Sequence, residues 1–258
     1  MSAIEAPRPR FAQIADVLRD RIDRGVYAAG SPLPSEPELS REFSVSRVTV
    51  NRAVGLLRGE GLVRVSRGRG TFVRAIPVIT RSATKRFGER DRGRGAFDVE
   101  VRALGLEPRH EVVVERVPAS ERAAELLHVD LGAELVVRRR RFYAGDEPVQ
   151  LADSFLPAEL AEKAGVTEPE TGPGGTYSRL ADIGEAPVRF TETVSCRGAR
   201  AKEAEFLGIE PAQPVMDVLL IAANEEGDPV SVTQHVMAGH QWELRYDWTD
   251  RGPEHADG

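Results

Sequence analysis

Residues 30–73 read GSPLPSEPELSREFSVSRVTVNRAVGLLRGEGLVRVSRGRGTFV, and the spacing of their apolar residues changes along the way. Ser35 stands where a helix N-cap belongs, with Glu38 three residues on, the spacing of a capping box. Pro37 is compatible with a first helical turn, where its missing N–H is not needed. The pattern predicts a short helix over 36–43 that buries Leu39 and Phe43. A tight turn through Ser44 and Val45 reaches Ser46, a second N-cap. The next helix runs from 47 to 59 or 60, with Val50, Ala53, Val54 and Leu57 as its buried stripe. Arg47, Asn51 and Arg58 occupy another face, flanked by Thr49 and Arg52. After Gly61 the period becomes two, giving strand 62–65, turn 66–70 and strand 71–73. The glycines allow the positive φ of a tight hairpin, and Arg67 and Arg69 sit at its tip.

Upstream, Phe11, Ile14, Ala15, Leu18 and Ile22 fall at i, i+3, i+4, i+7 and i+11, one stripe of an amphipathic helix that Gly25 closes. Helix, two helices across a short turn, and a basic hairpin make a winged helix-turn-helix. Such a module places the N-terminal side chains of its last helix in the major groove. There arginine reads guanine, asparagine reads adenine, and threonine takes a phosphate or a thymine methyl. The residues expected to face double-stranded DNA are Ser35, Ser46, Arg47, Thr49, Asn51, Arg52, Arg67, Gly68 and Arg69.

Charge agrees with this placement. Residues 1–94 carry 19 Lys+Arg against 10 Asp+Glu, and the remaining residues carry 16 against 31. A basic third on an acidic body suits a polyanion partner at one end. At 258 residues the chain suits one or two domains. No apolar run approaches the roughly 20 residues that span a bilayer, so no membrane role is expected. Residues 1–10 lack the apolar core of a signal peptide, and the expected compartment is the cytoplasm. The single Cys196 excludes an intramolecular disulfide framework and a cysteine-rich zinc site, and is read as a small buried residue of a strand.

The domain reading is a DNA-binding module over 1–76, a linker over 77–95, a second domain over 96–250 and a tail over 251–258. In the second domain strands are expected at 97–103, 110–117, 134–143, 149–156, 188–195, 215–222, 230–237 and 244–248. Helices are expected near 120–128, 158–164, 176–183 and 202–207. The mixture predicts an α+β class, a mainly antiparallel sheet with helices packed on it. Ala124-Glu125-Leu126-Leu127 recurs as Ala204-Glu205-Phe206-Leu207, each followed by a strand and a Gly-containing hairpin turn, which suggests two similar halves about 80 residues apart. Arg138–Arg141 would alternate sides on a strand, so an inward pair needs an anionic ligand or an acidic side chain; solvated arginines on an edge strand are the alternative.

Residues 11–73 closely resemble the DNA-binding domain of GntR-family transcription regulators. The matching pieces are Leu33-Pro34-Ser35-Glu36, Val45-Ser46-Arg47, Thr49-Val50, Glu60-Gly61-Leu62-Val63 and Gly68-Arg69-Gly70-Thr71-Phe72-Val73. The resemblance implies DNA contacts at Ser35, Arg47, Thr49, Asn51 and the wing around Gly68. The family commonly has arginine where this chain has Pro37, and often arginine in place of Asn51. Residues 90–250, through VVRRRRFYAGDEPVQLADSFLP, GPGGTYSRLADIG, FTETVSC and GDPVSV, resemble the UTRA ligand-sensing domain of the HutC-type subfamily. That resemblance implies a chorismate-lyase-like sheet of six antiparallel strands without catalytic duty, a homodimer, and a small-molecule effector. By the same resemblance the effector residues are Arg139, Arg141, Tyr177, Glu192 and Ser231.

No catalytic residue, metal ligand or cofactor is expected. No histidine pair has metalloprotease spacing, and neither Gly-x-Ser-x-Gly nor a phosphate-binding loop with lysine occurs. The expected function is a ligand-responsive transcription regulator, a repressor binding an inverted-repeat operator as a dimer. The alternatives are a constitutive DNA-binding protein whose second domain only dimerises, and an enzyme of the chorismate-lyase type.

Overall fold

A computed structural model describes residues 8–66, 68–82 and 95–248. They divide into two compact units: those up to Pro77 with Gly198–Gln213, and Val78–Arg197 with those from Pro214.

In the first unit α1 (Arg10–Asp23) buries Ile14, Ala15 and Leu18, the stripe read from the sequence. Helix α2 (Glu36–Glu42) starts at the Ser35 cap, with Pro37 in its first turn. Helix α3 (Arg47–Gly59) starts at Ser46 and buries Val50, Ala53, Val54 and Leu57. Between them Ser44 takes a positive φ of 51°, which lets the turn be so short. Leu18, Leu39, Leu57, Val50 and Val63 meet in one core, and burying each such side chain contributes roughly 1.5–3 kcal/mol relative to exposure. Arg19 ties α1 to the end of α3 through two hydrogen bonds to the Glu60 carboxylate, at 2.6 and 2.9 Å. The wing is an antiparallel hairpin of β1 (Val63–Ser66) and β2 (Gly70–Val73). The segment before α2 lies along the wing: Leu33 N–H donates to the Thr71 carbonyl at 2.8 Å and Val73 N–H to that of Ser31 at 2.9 Å.

The second unit holds a six-stranded sheet in the order β4-β5-β6-β9-β8-β7. Its strands are β4 (Pro108–Pro118), β5 (Glu134–Ala144), β6 (Glu147–Pro157), β7 (Arg189–Gly198), β8 (Pro214–Ala223) and β9 (Pro229–Ala238). Helix α5 (Glu121–Leu127) covers one face, packing with Leu135, Phe155, Leu219 and Val232. On the other face α6 (Ala158–Lys163) and α7 (Gly175–Asp182) pack with Val136, Leu156 and Ala222. In chain order the strands form two β-α-β-β halves, the second containing α8 (Ala201–Leu207), that meet where Gln150–Phe155 pairs with Val232–Met237. This is the duplication that the repeated Ala-Glu-x-Leu announced. Both helices end on a left-handed residue, His128 (φ 55°) in one half and Gly208 (φ 62°) in the other.

Two segments depart from the expectation. Residues 97–103, read as a strand, lie in α4 (Ala96–Arg102), where Phe97 and Val101 are buried and Val99 is exposed. Phe97, Val99 and Val101 alternate, but Phe97 and Val101 are also one helical turn apart, and burial follows that spacing. Within the expected linker, Ile79–Ser82 forms β3, which pairs in parallel with β10 (Trp242–Arg245). The rest of that linker, 83–94, and the tail lie outside the described residues.

Candidate nucleic-acid interface and ligand site

The start of α3 gathers the expected DNA-facing residues. Ser46 Oγ accepts the Thr49 N–H at 3.3 Å and lies 2.9 Å from Thr49 Oγ1, so the two hydroxyls are fastened to the helix N-terminus. Arg47 and Arg52 are exposed and make no ion pair or hydrogen bond among the described residues. Asn51 is also exposed, and its Nδ2 donates to Glu36 Oε1 at 2.8 Å. Ser35 takes the N-cap place read from the sequence. Its N–H and its hydroxyl both donate to Glu38 Oε2, at 2.8 and 2.6 Å, and these bonds hold the Glu38 carboxyl below the usual carboxylate range. Both donors of Ser35 are thereby spent on the cap.

At the wing, Gly68 and Gly70 have φ of 76° and 107°, values that a side chain would strain. Arg69 and Arg64 both hold their guanidinium carbon 5.7 Å from the centre of the Phe72 ring, a cation–π arrangement that steadies them. Arg67 lies outside the described residues.

Strand alternation divides the effector residues. Arg139 and Arg141 on β5 share one face of the sheet with Asp153 on β6: Arg139 bonds Asp153 at 2.5 Å and Glu115 at 2.9 Å, and Arg141 lies 3.8 Å from Asp153. Arg138 and Arg140 project to the opposite face. Arg138 is buried and donates to the carbonyls of Val166 and Pro169, each at 2.7 Å, in the segment leading to α7. Burial pulls its pKa down from the ordinary value, opposed by the Glu170 charge. Arg140 donates to Ser154 Oγ at 2.6 Å, and Ser154 Oγ lies 2.6 Å from Thr233 Oγ1. On the same face Gln150 Nε2 is 3.2 Å from His235 Nδ1, and the buried Gln150 Oε1 has no hydrogen-bond partner among the described residues.

Tyr177 and Ser231 belong to that second face, their hydroxyls 3.4 Å apart. Glu192 stands two residues from Phe190, which packs on Tyr177. It is committed to an ion pair with the buried Arg81, and the Tyr246 hydroxyl lies 3.3 Å from it. Burial and the Glu192 charge raise the Tyr246 pKa. The structure therefore brings Tyr177 and Ser231 together and sets Arg139 and Arg141 across the sheet from them.

Gln150, Ser154, Thr233 and His235 were not anticipated, and Arg140 was named only as one of four alternating arginines. A signal existed: Gln150 and Ser154, and Thr233 and His235, recur at even spacing inside apolar strands, which places each pair on one face. Glu36 was likewise missed, because its contact with Asn51 spans two helices. Cys196, expected to be buried, is exposed on β7, an edge strand. Among the described residues no group of three or more His, Cys, Asp or Glu side chains could hold a metal ion.

A family model described as bacterial regulatory proteins, gntR family, matches residues 11–73, and a UTRA domain model matches 103–243. An uncharacterized HTH-type transcriptional regulator of Streptomyces coelicolor is 31% identical over 253 residues, 94% of each chain. The HTH-type transcriptional repressor NagR of Bacillus subtilis is 25% identical over 92% of this chain and 94% of its own length. Among solved structures, PhnF from Mycobacterium smegmatis superposes with a TM-score of 0.59 at 23% identity, covering 92% of this chain and all of that one.

Proposed function

The chain belongs to the gntR family of bacterial regulatory proteins and carries a UTRA domain, and from that premise we propose how it works as a ligand-responsive DNA-binding regulator. It acts as a repressor, in the cytoplasm, and binds an inverted-repeat operator as a homodimer. Two copies of α3 enter successive major grooves, where Arg47, Thr49 and Asn51 face base edges and Arg52 and Arg69 face phosphates. The domains match regulators, and we read no turnover into the sheet. The relative named a repressor supports the direction of control.

The effector sits on the sheet face beneath α7. One observation carries this reading: Arg140, Ser154 and Thr233 form a hydrogen-bonded row on a face that also holds Gln150, His235, Tyr177 and Ser231. Polar groups inside a domain are costly unless satisfied, so a floor this polar is suited to a polar ligand. Arg140 brings a guanidinium to this row, and the ligand we propose is a small anion. Ligand alters operator affinity through its preference for one arrangement of the dimer.

The test is native mass spectrometry of the full chain as purified, followed by thermal shift with small phosphorylated and carboxylated metabolites. A bound anion whose stabilisation is lost in Arg140→Gln and kept in Arg139→Gln supports the site. Stabilisation that depends on Arg139 instead would move it to the other face.

A further inference from the structure

We propose that Glu36 is a specificity-positioning residue: by taking one amide proton of Asn51 it turns that side chain to read adenine in the operator. The inference rests on α3 being the recognition helix and on Asn51 touching a base. Asn51 lies one helical turn beyond Arg47, on α3. Glu36 is the first residue of α2, and the 2.8 Å bond between Asn51 Nδ2 and Glu36 Oε1 joins the two helices of the motif. Pro37 follows Glu36 directly, and its ring fixes the backbone of the turn that carries the carboxylate.

The chemistry of the pair decides the orientation of the amide. An ionised carboxylate only accepts hydrogen bonds, so the NH2 end of Asn51 faces Glu36. One N–H and the Oδ1 acceptor remain for DNA. Adenine presents the complement in the major groove, N7 as acceptor and the N6 amino group as donor. Guanine presents two acceptors, and Oδ1 would meet O6 with no proton between them. Cytosine presents only a donor, and thymine one acceptor beside a methyl group. Without Glu36 the amide is free to turn over, and the match to adenine loses its advantage.

The experiment uses the full-length protein and a library of random duplexes, with enriched sites sequenced and affinities then measured on single-base variants. Wild type should enrich a site with one adenine per half-site whose preference disappears in Asn51→Ala. Glu36→Ala, with an unchanged circular dichroism spectrum, should lose about tenfold in discrimination at that same base pair, the scale of one bidentate base contact. It should leave the other positions as they were. Glu36→Gln, whose Oε1 still accepts, should restore the preference. Combined with Asn51→Ala, Glu36→Ala should cost nothing further at that base pair. A uniform loss across all positions in Glu36→Ala, or a base other than adenine at the Asn51-dependent position, overturns the proposal. If no position depends on Asn51, the base contact itself is wrong, and the positioning role falls with it.

Discussion

Arg47 and Arg52 of α3 are used in the opposite way to Arg138 and Arg139 of β5. On α3, Arg47 and Arg52 point into solvent with no protein partner among the described residues. On β5, Arg138 is clamped by backbone carbonyls, and Arg139 is held between Glu115 and Asp153. The same side chain is an unspent charge at these positions of α3 and a structural fastener on β5, as it is at Arg19. An unspent guanidinium has no internal bond to give up when it meets a phosphate or a guanine. A fastened one must break its contacts first. Net charge locates a DNA-binding unit only coarsely, and the commitment of each charge is the finer guide to where its interface should be sought.

The largest test of the comparison is Arg138→Met. The carbonyls it caps lose a charged donor, and a well-buried side chain is exchanged for a flexible apolar one. We expect a loss of about 3 kcal/mol of unfolding free energy, the scale of breaking a buried charged hydrogen-bond network. Chemical denaturation followed by tryptophan fluorescence checks it, since Trp242 is buried in the second unit. A loss below about 1 kcal/mol, the worth of an ordinary exposed pair, would show that Arg138 fastens nothing.

Arg47→Ala comes next and should do the reverse. It should leave the unfolding midpoint unchanged and cost about 1–3 kcal/mol of specific operator binding if the side chain reads a guanine. Fluorescence anisotropy on the selected duplex and on a scrambled one separates the specific part. Equal losses on both duplexes would make Arg47 a phosphate contact. Smaller still is Arg139→Ala. Its ion pairs are about one third exposed, so we expect less than about 1 kcal/mol of stability, fading as salt is raised.

How much of this was legible in the sequence follows from the range of the forces involved. The winged module is built from local rules. Ser35 and Glu38, Ser46 and Thr49, and the stripe Val50, Ala53, Val54 and Leu57 each lie within one or two helical turns, so their spacing reveals them. The sheet unit depends on parity. Four consecutive arginines carry no mark of which pair faces which way, and both faces of the sheet are covered by helices, which removes the alternation that would have told. Arg139 and Arg141 lie on the face of the sheet opposite Tyr177 and Ser231, a division that the run of four arginines could not show. Apolar neighbours with mixed spacing misled in the same way at Phe97 and Val101, where a helix was read as a strand.

Ser35 gives the finest test, because it is expected to face DNA and its small polar side chain is nevertheless committed. Its N–H and hydroxyl hold an ionised Glu38, whose folded pKa lies below its unfolded one. The contribution to stability is therefore present above the unfolded carboxylate range, about pH 4.3, and is lost as pH falls through the lowered folded value. Unfolding midpoints of wild type and Ser35→Ala should accordingly differ at pH 7 and converge toward pH 3. At neutral pH the serine has no donor left for DNA. Ser35→Ala should thus leave the slope of log affinity against log salt unchanged, whereas Arg52→Ala, at a phosphate, should reduce it by about one. A reduced slope in Ser35→Ala would mean that the hydroxyl leaves Glu38 for a phosphate when DNA arrives, and the line between spent and unspent groups would then move on binding.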